Sequence, residues 1–229
     1  MRNKFSKNYN PRKVLILPIK NPSRELFKII NNFHNKLKII IIDDGSKINR
    51  HYFKIIKNKV KIIRNKQNMG KGYSIKKAFG LILKKKYLNG VIIADSDGQH
   101  AVSDINKIYN FFLKNPEKFI IGQRKFMFFK TPLRNYFGNL ISSLIFLFRF
   151  NIYIDTQCGL RAIPRKFLKQ NLDIKANDYS FELRMLINII LNEKSSLKFL
   201  KIKTIYKKKI KSYFNPLYDS FSIIKQFIK

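Results

Sequence analysis

Short apolar runs recur along the first half of the chain, and most are followed by a segment with helical periodicity. They are "KVLILP" (Lys13 to Pro18), "LKIIIIDD" (Leu37 to Asp44), "VKIIR" (Val60 to Arg64) and "GVIIAD" (Gly90 to Asp95). The second is apolar at every position from Ile39 to Ile42 rather than alternating, as in a strand covered on both faces. The intervening segments predict helices. One is capped by Ser23 and has Leu26, Phe27, Ile29, Ile30 and Phe33 as its apolar face. Others run from about Tyr73 to Lys86 and from Val102 to Lys114. This order predicts an α/β fold with a mostly parallel central sheet sandwiched by helices.

After about Phe119 the pattern changes. A strand, "KFIIGQR", precedes a long helical stretch from Leu133 to Phe150. "DTQCGLRAI", a helix near Tyr179 to Leu191, a strand "LKFLKIKTIY" and an amphipathic C-terminal helix follow. The oily stretch "LISSLIFLFRF" (Leu140 to Phe150) is shorter than the roughly 20 residues that span a bilayer. At helical spacing, Leu140, Leu144, Leu147 and Phe148 share a side. That side suits either the plane of a membrane interface or the core of the domain.

The 229 residues carry 48 Lys and Arg against 13 Asp and Glu, a formal charge of +35. Such a surplus attracts polyanions: nucleic acid, anionic headgroups or phosphorylated substrates. Part of it also fits AT-rich codon usage, given the abundance of Lys, Ile, Asn and Phe. The lone Cys158 excludes an internal disulfide and fits a reducing, cytoplasmic compartment. The basic start "MRNKFSKNYNPRK" has no apolar run after it, so no signal peptide is expected.

With carboxylates so scarce, their positions carry information. Asp43 and Asp44 end the second strand; Asp95 and Asp97 end the fourth. In an open parallel sheet, ligands bind outside the carboxyl ends of the strands, so both pairs are expected over one edge. Two carboxylates flanking one residue suit a hard divalent cation, Mg²⁺ or Mn²⁺, which in turn binds a diphosphate. Gln99 and His100 follow on the same loop. The same aspartates also suit a solvated tight turn closed by Gly98. "NMGKGYS" (Asn68 to Ser74) has two glycines that admit a close ligand and a cation, Lys71; it also reads as a simple helix start.

These segments, in order, resemble the family 2 glycosyltransferases of GT-A fold, especially the branch that makes polyprenyl- or dolichyl-phosphate sugars. The resemblance rests on "LPIKNP", "IIIIDDGS", "NMGKGYS", "ADSDGQH", "IGQR", "PLRNYFGNLISSL", "DTQCGLRAI", "YSFELRML" and "KSYFNPLYDS". It implies a single GT-A domain over residues 1–229, with a nucleotide-binding half at about 12–125 and an acceptor-side half at about 126–229. It implies that Asp95 and Asp97 hold the metal and Asp43 and Asp44 read the nucleotide. Lys71 and Gln99 are then near the donor, Arg124 meets a phosphate, and Arg134 meets an acceptor phosphate, to which the lysine cluster of "YKKKIKSY", Lys209 among it, adds charge. Asp155 and Gln157 sit beside the sugar and acceptor, and Glu182 matches a retained acidic position. The chain departs from the family's pattern at Lys20, where an aromatic is usual, at Arg184, where a second acid is common, and at Tyr213.

The implied reaction is metal-dependent, inverting transfer of a hexose from a UDP- or GDP-sugar to a polyprenyl phosphate, by an enzyme touching the membrane from the cytoplasmic side. A hydroxyl acceptor is the alternative, and it needs a base, for which Asp155 is the candidate. A nucleic-acid-binding protein is the non-enzymatic alternative. It lacks any helix-turn-helix, zinc-finger or RNP-like signature and makes no use of the aspartate pairs.

Overall fold

The computed structural model describes residues 12–124 and 133–205. The elements follow in the order β1 (Lys13–Ile19), α1 (Glu25–Phe33), β2 (Lys38–Asp43), α2 (His51–Ile56), β3 (Lys61–Arg64), α3 (Lys71–Leu83), β4 (Gly90–Ile93) and α4 (Val102–Lys114). Then come β5 (Phe119–Arg124), α5 (Leu133–Phe150), β6 (Arg161–Pro164), α6 (Arg165–Gln170), α7 (Ser180–Glu193) and β7 (Leu197–Ile202). The expected C-terminal helix lies outside the described residues.

Seven strands form one sheet in the order β3-β2-β1-β4-β6-β5-β7. β1, β2, β3 and β4 are mutually parallel, as is the β5–β7 pair, while β6 runs antiparallel to both its neighbours. Apolar side chains cover both faces. Val14, Ile16, Ile40 and Ile42 pack with α3 and α7 on one side; Leu15, Leu17, Ile39 and Ile41 pack with α1, α2 and α4 on the other. That two-sided burial is why β2 is apolar at consecutive positions.

Several details differ from expectation. Ser23 does not cap α1; its hydroxyl donates to the Ser96 carbonyl at 3.1 Å, tying the loop after β1 to the loop after β4. α3 starts at Lys71 rather than near Tyr73, because Gly70, at φ +99°, turns the chain directly into the helix. α2, β6 and α6 are additional elements. On α5 the exposed apolar row is Phe137, Ile141, Leu144 and Phe148, whereas Leu140 and Leu147 are half-buried.

Candidate active site

The parallel register brings the two aspartate pairs to one edge. Asp43 lies opposite Ile19 of β1, and Asp95 stands two residues beyond the end of β4, the other neighbour of β1. With one strand between them, the pairs are separated by two strand spacings, roughly 10 Å.

Asp43 and Asp44 organise the surrounding loops. Asp44 is buried and accepts the backbone N–H groups of Met69 at 2.8 Å and Gly70 at 2.9 Å, and the Asn65 amide at 2.9 Å. The Asn68 amide, in the orientation that satisfies both its atoms, donates to Asp44 at 2.7 Å and accepts from Lys20 Nζ at 2.9 Å. Lys20 therefore joins the Asp44 network where an aromatic is usual. Asp43 accepts from the Ser46 backbone at 2.9 Å and pairs with Arg64 at 3.5 Å. Beside it opens a cavity of about 450 Å³, lined also by Arg50, His51 and Lys54, on the α2–β3 side. None of the residues around Asp95 lines that cavity.

At the second pair, Lys71 is the central group. Its ammonium lies 2.8 Å from Asp95 Oδ1 and 2.8 Å from Glu182 Oε2, which brings α3, the β4 loop and α7 together. Burial lowers the Lys71 pKa, but Asp95 and Glu182 outweigh it and hold it above the ordinary lysine value. Burial raises the Asp95 pKa, but the Lys71 charge and the His100 hydrogen bond, 3.3 Å from Oδ2, outweigh it and hold it well below the usual carboxylate range. Asp97 is shifted upward, first by burial and then by the charge of Asp95. Gln99 closes on Asp97 with its backbone and side-chain N–H groups, both at 2.9 Å. Gly159 leaves room for this cluster: a Cβ there would strike Asp95 Oδ2 and stand 2.9 Å from Lys71 Nζ.

Arg124 and Asp155 form a separate buried pair through two hydrogen bonds, at 2.6 and 3.1 Å. Asp155 Oδ1 also accepts the Gln157 backbone N–H at 3.1 Å, and the Gln123 side chain accepts the Asp155 N–H at 3.0 Å. The inner face of α5 combines the core residue Phe146 with buried polar groups. Ser142 bonds to Thr156 at 2.7 Å and Ser143 donates to the Ile154 carbonyl at 2.7 Å, pinning the 154–157 loop. Arg161, fully buried, donates to the Cys158, Glu182 and Thr156 carbonyls. Cys158 is buried, its thiol pushed up to about 12 chiefly by burial, and it packs rather than reacts.

The expected site residues thus fall into groups. Asp95, Asp97, Gln99, Lys71 and Glu182 are brought together; Arg124, Asp155 and Gln157 form a neighbouring loop cluster; Asp43 and Asp44 sit across β1. Arg134 falls in the first turn of α5, but its side chain lies outside the described residues, as does Lys209. Arg161 and Gly159 were not legible as site-builders. Both stand within the motif "DTQCGLRAI", where one cation inside the apolar run "CGLRAIP" is the further trace of Arg161. Among the described residues, Glu182 Oε1, Gln157 Nε2 and His100 Nδ1 are buried without a hydrogen-bond partner. Buried orphan groups of this kind are costly unless a ligand satisfies them.

The pattern of glycosyl transferase family 2 matches residues 16–184. The chain belongs to this family. This glycosyltransferase is 34% identical over 220 residues to a UDP-N-acetylglucosamine–dolichyl-phosphate N-acetylglucosaminyltransferase of Methanococcus voltae, covering 84% of the chain and 85% of the relative. It is 28% identical over 181 residues to a dolichyl-phosphate beta-glucosyltransferase of Saccharomyces cerevisiae, covering 68% of the chain and 53% of that longer protein. In fold it is similar to mannosyl-3-phosphoglycerate synthase from Rubrobacter xylanophilus, with a TM-score of 0.71 over 95% of this chain and 73% of that one, at 13% identity. The architecture is the GT-A fold.

The donor set of this glycosyltransferase is compatible with a divalent cation. Among the described residues, no group of three or more His, Cys, Asp and Glu side chains is placed to enclose a metal ion. Mg²⁺ does not require such a cage, because it keeps waters and takes one or two carboxylates plus substrate phosphates. Asp95 and Asp97 offer that pair, two residues apart on the loop that follows β4.

Proposed function

We propose that this glycosyltransferase moves a hexose from a UDP- or GDP-sugar to a polyprenyl phosphate at a membrane surface, with inversion at the anomeric carbon. Asp95 and Asp97 hold Mg²⁺ or Mn²⁺, with Gln99 fixing Asp97. The cation supplies Lewis-acid stabilisation to the departing nucleoside diphosphate. Asp44 and Lys20, joined through Asn68, face the donor's nucleoside. Arg134 and Lys209 receive the acceptor phosphate.

The observation that carries the choice of acceptor is the condition of Asp155. A hydroxyl acceptor needs a base, and both Asp155 oxygens are taken by Arg124 in a buried pair. A phosphate acceptor is already an anion and needs none. Asp155 and Arg124 therefore act as positioning residues for the loop that carries Gln157. The M. voltae relative, named for UDP-N-acetylglucosamine and dolichyl phosphate, supports the same donor and acceptor classes.

The membrane contact is supported by α5. Its inner face buries Asn139, Ser142 and Ser143 beside Phe146, while Phe137, Ile141, Leu144 and Phe148 face outward, Phe148 at 85% exposed. A helix that shows a continuous row of large apolar residues while burying small polar ones suits an apolar surrounding. Among the described residues no helix is long and apolar enough to cross a membrane.

The test is transfer of label from UDP-GlcNAc, UDP-glucose and GDP-mannose to a polyprenyl phosphate in detergent with Mn²⁺. The expected product is an organic-soluble phosphodiester labelled from one of these donors. Transfer only to glycan hydroxyls, or from no donor, contradicts the proposal.

A further inference from the structure

Lys71 stands between two glycines, and the fold uses both. A Cβ on Gly70 would collide with the Asn177 carbonyl, and one on Gly72 would lie 2.5 Å from Phe181 Cβ and 2.7 Å from the Asp178 carbonyl. Tyr73 N–H also donates to the Asn177 carbonyl at 3.0 Å. The "GKG" sequence thus presses the start of α3 onto the start of α7, where Glu182 sits in the first turn. The Lys71 side chain, only 13% exposed, turns inward to Asp95 and Glu182.

Lys71 also fixes the charge of the cluster. Asp95, Asp97 and Glu182 contribute three negative charges and Lys71 one positive, leaving two, the charge that one divalent cation neutralises. Asp97 stands on the same loop, two residues after Asp95. Among the described residues, Glu182 Oε1 is buried without a hydrogen-bond partner.

We propose that Lys71 is the resident counter-ion of the donor site, holding Asp95 and Glu182 in place without metal and setting the net charge so that a single divalent cation binds with moderate strength. This rests on the reading that Asp95 and Asp97 bind such a cation. It gives Lys71 a positioning role and makes metal affinity a function of a residue that touches no metal.

The test is Mn²⁺ binding to the full chain, followed by the electron paramagnetic resonance signal of free Mn²⁺, with and without UDP. Lys71→Met leaves three uncompensated charges and is expected to bind Mn²⁺ about tenfold more tightly than the wild type. Glu182→Gln leaves one and is expected to bind it about tenfold more weakly. Loss of structure alone does not tighten binding, so the Lys71→Met direction separates a charge role from a merely structural one. Should Lys71→Met fail to fold, Glu182→Gln decides, with its thermal midpoint measured alongside: a tenfold loss at an unchanged midpoint supports the assignment and an unchanged affinity overturns it. Saturable wild-type binding with variants that do not separate overturns the role of Lys71 alone. No saturable binding in any form, even with UDP, overturns the metal reading and this inference with it.

Discussion

Arg124 grips Asp155 through two hydrogen bonds, Nε to Oδ2 at 2.6 Å and Nη2 to Oδ1 at 3.1 Å, with both side chains buried. Taking one partner away strands a charge in the interior, which typically costs about 3–5 kcal/mol, whereas replacing both by apolar groups costs far less. Asp155→Leu and Arg124→Met are each expected to lower the unfolding free energy in urea by about that amount. The double variant is expected to recover most of the loss. Additive losses would show that the two do not act as a pair.

Gly159 tests how closely the loop must pack on the acidic cluster. In Gly159→Ala the new methyl displaces the Asp95 carboxylate. Displacement of a positioning group by about 1 Å costs roughly a hundredfold in rate. We expect kcat/KM to fall on that order with a thermal midpoint near the wild type. An unchanged rate would mean that Asp95 needs no fixed position.

The outward row on α5 predicts vesicle binding. Replacing Phe148 and Ile141 by Ser together is expected to reduce co-sedimentation with anionic vesicles several-fold at constant salt. Transfer to a short, water-soluble polyprenyl phosphate should be retained. Equal sedimentation of both proteins would assign the attraction to the charge of +35 alone.

Lys13 offers a pH signature remote from the site. It is buried, its ammonium lies 3.7 Å from the centroid of the Phe112 ring, and burial, partly offset by Glu117, lowers its pKa from 10.5 to about 8. A lowered folded-state pKa means that the unfolded chain binds the proton more tightly. The associated stability is complete above about pH 10.5 and is lost as pH falls through about 8. The melting temperature of the wild type, taken relative to Lys13→Met, is therefore expected to rise between these pH values. A flat difference would contradict the buried-amine assignment.

The sheet was largely legible in the residues. β1, β2 and β4 announce themselves by unbroken aliphatic runs, and the strand ends carry the aspartates to one rim by topology alone. α4 and α5 begin and end where their periodicity does. β6 escaped because it is four residues long, opens on a buried arginine and closes on a proline. α2 escaped because "HYFKII" buries only Phe53 and Ile56. The partners of Lys71 were not legible because they come from distant segments, and a lysine between glycines beside a phosphate-binding rim reads as a ligand contact. Only the packing of α3 on α7 shows that it is spent on Asp95 and Glu182.

The central claim is that Asp95 and Asp97 at the carboxyl rim of the sheet bind a nucleotide sugar through a divalent cation. Calorimetric titration of a UDP- or GDP-sugar into the protein, with Mn²⁺ and with chelator, measures this directly. Saturable donor binding is expected for the wild type only with the metal, and for Asp97→Ala in neither condition while its fold is retained. Binding of equal strength in chelator, or undiminished binding by Asp97→Ala, would contradict the account.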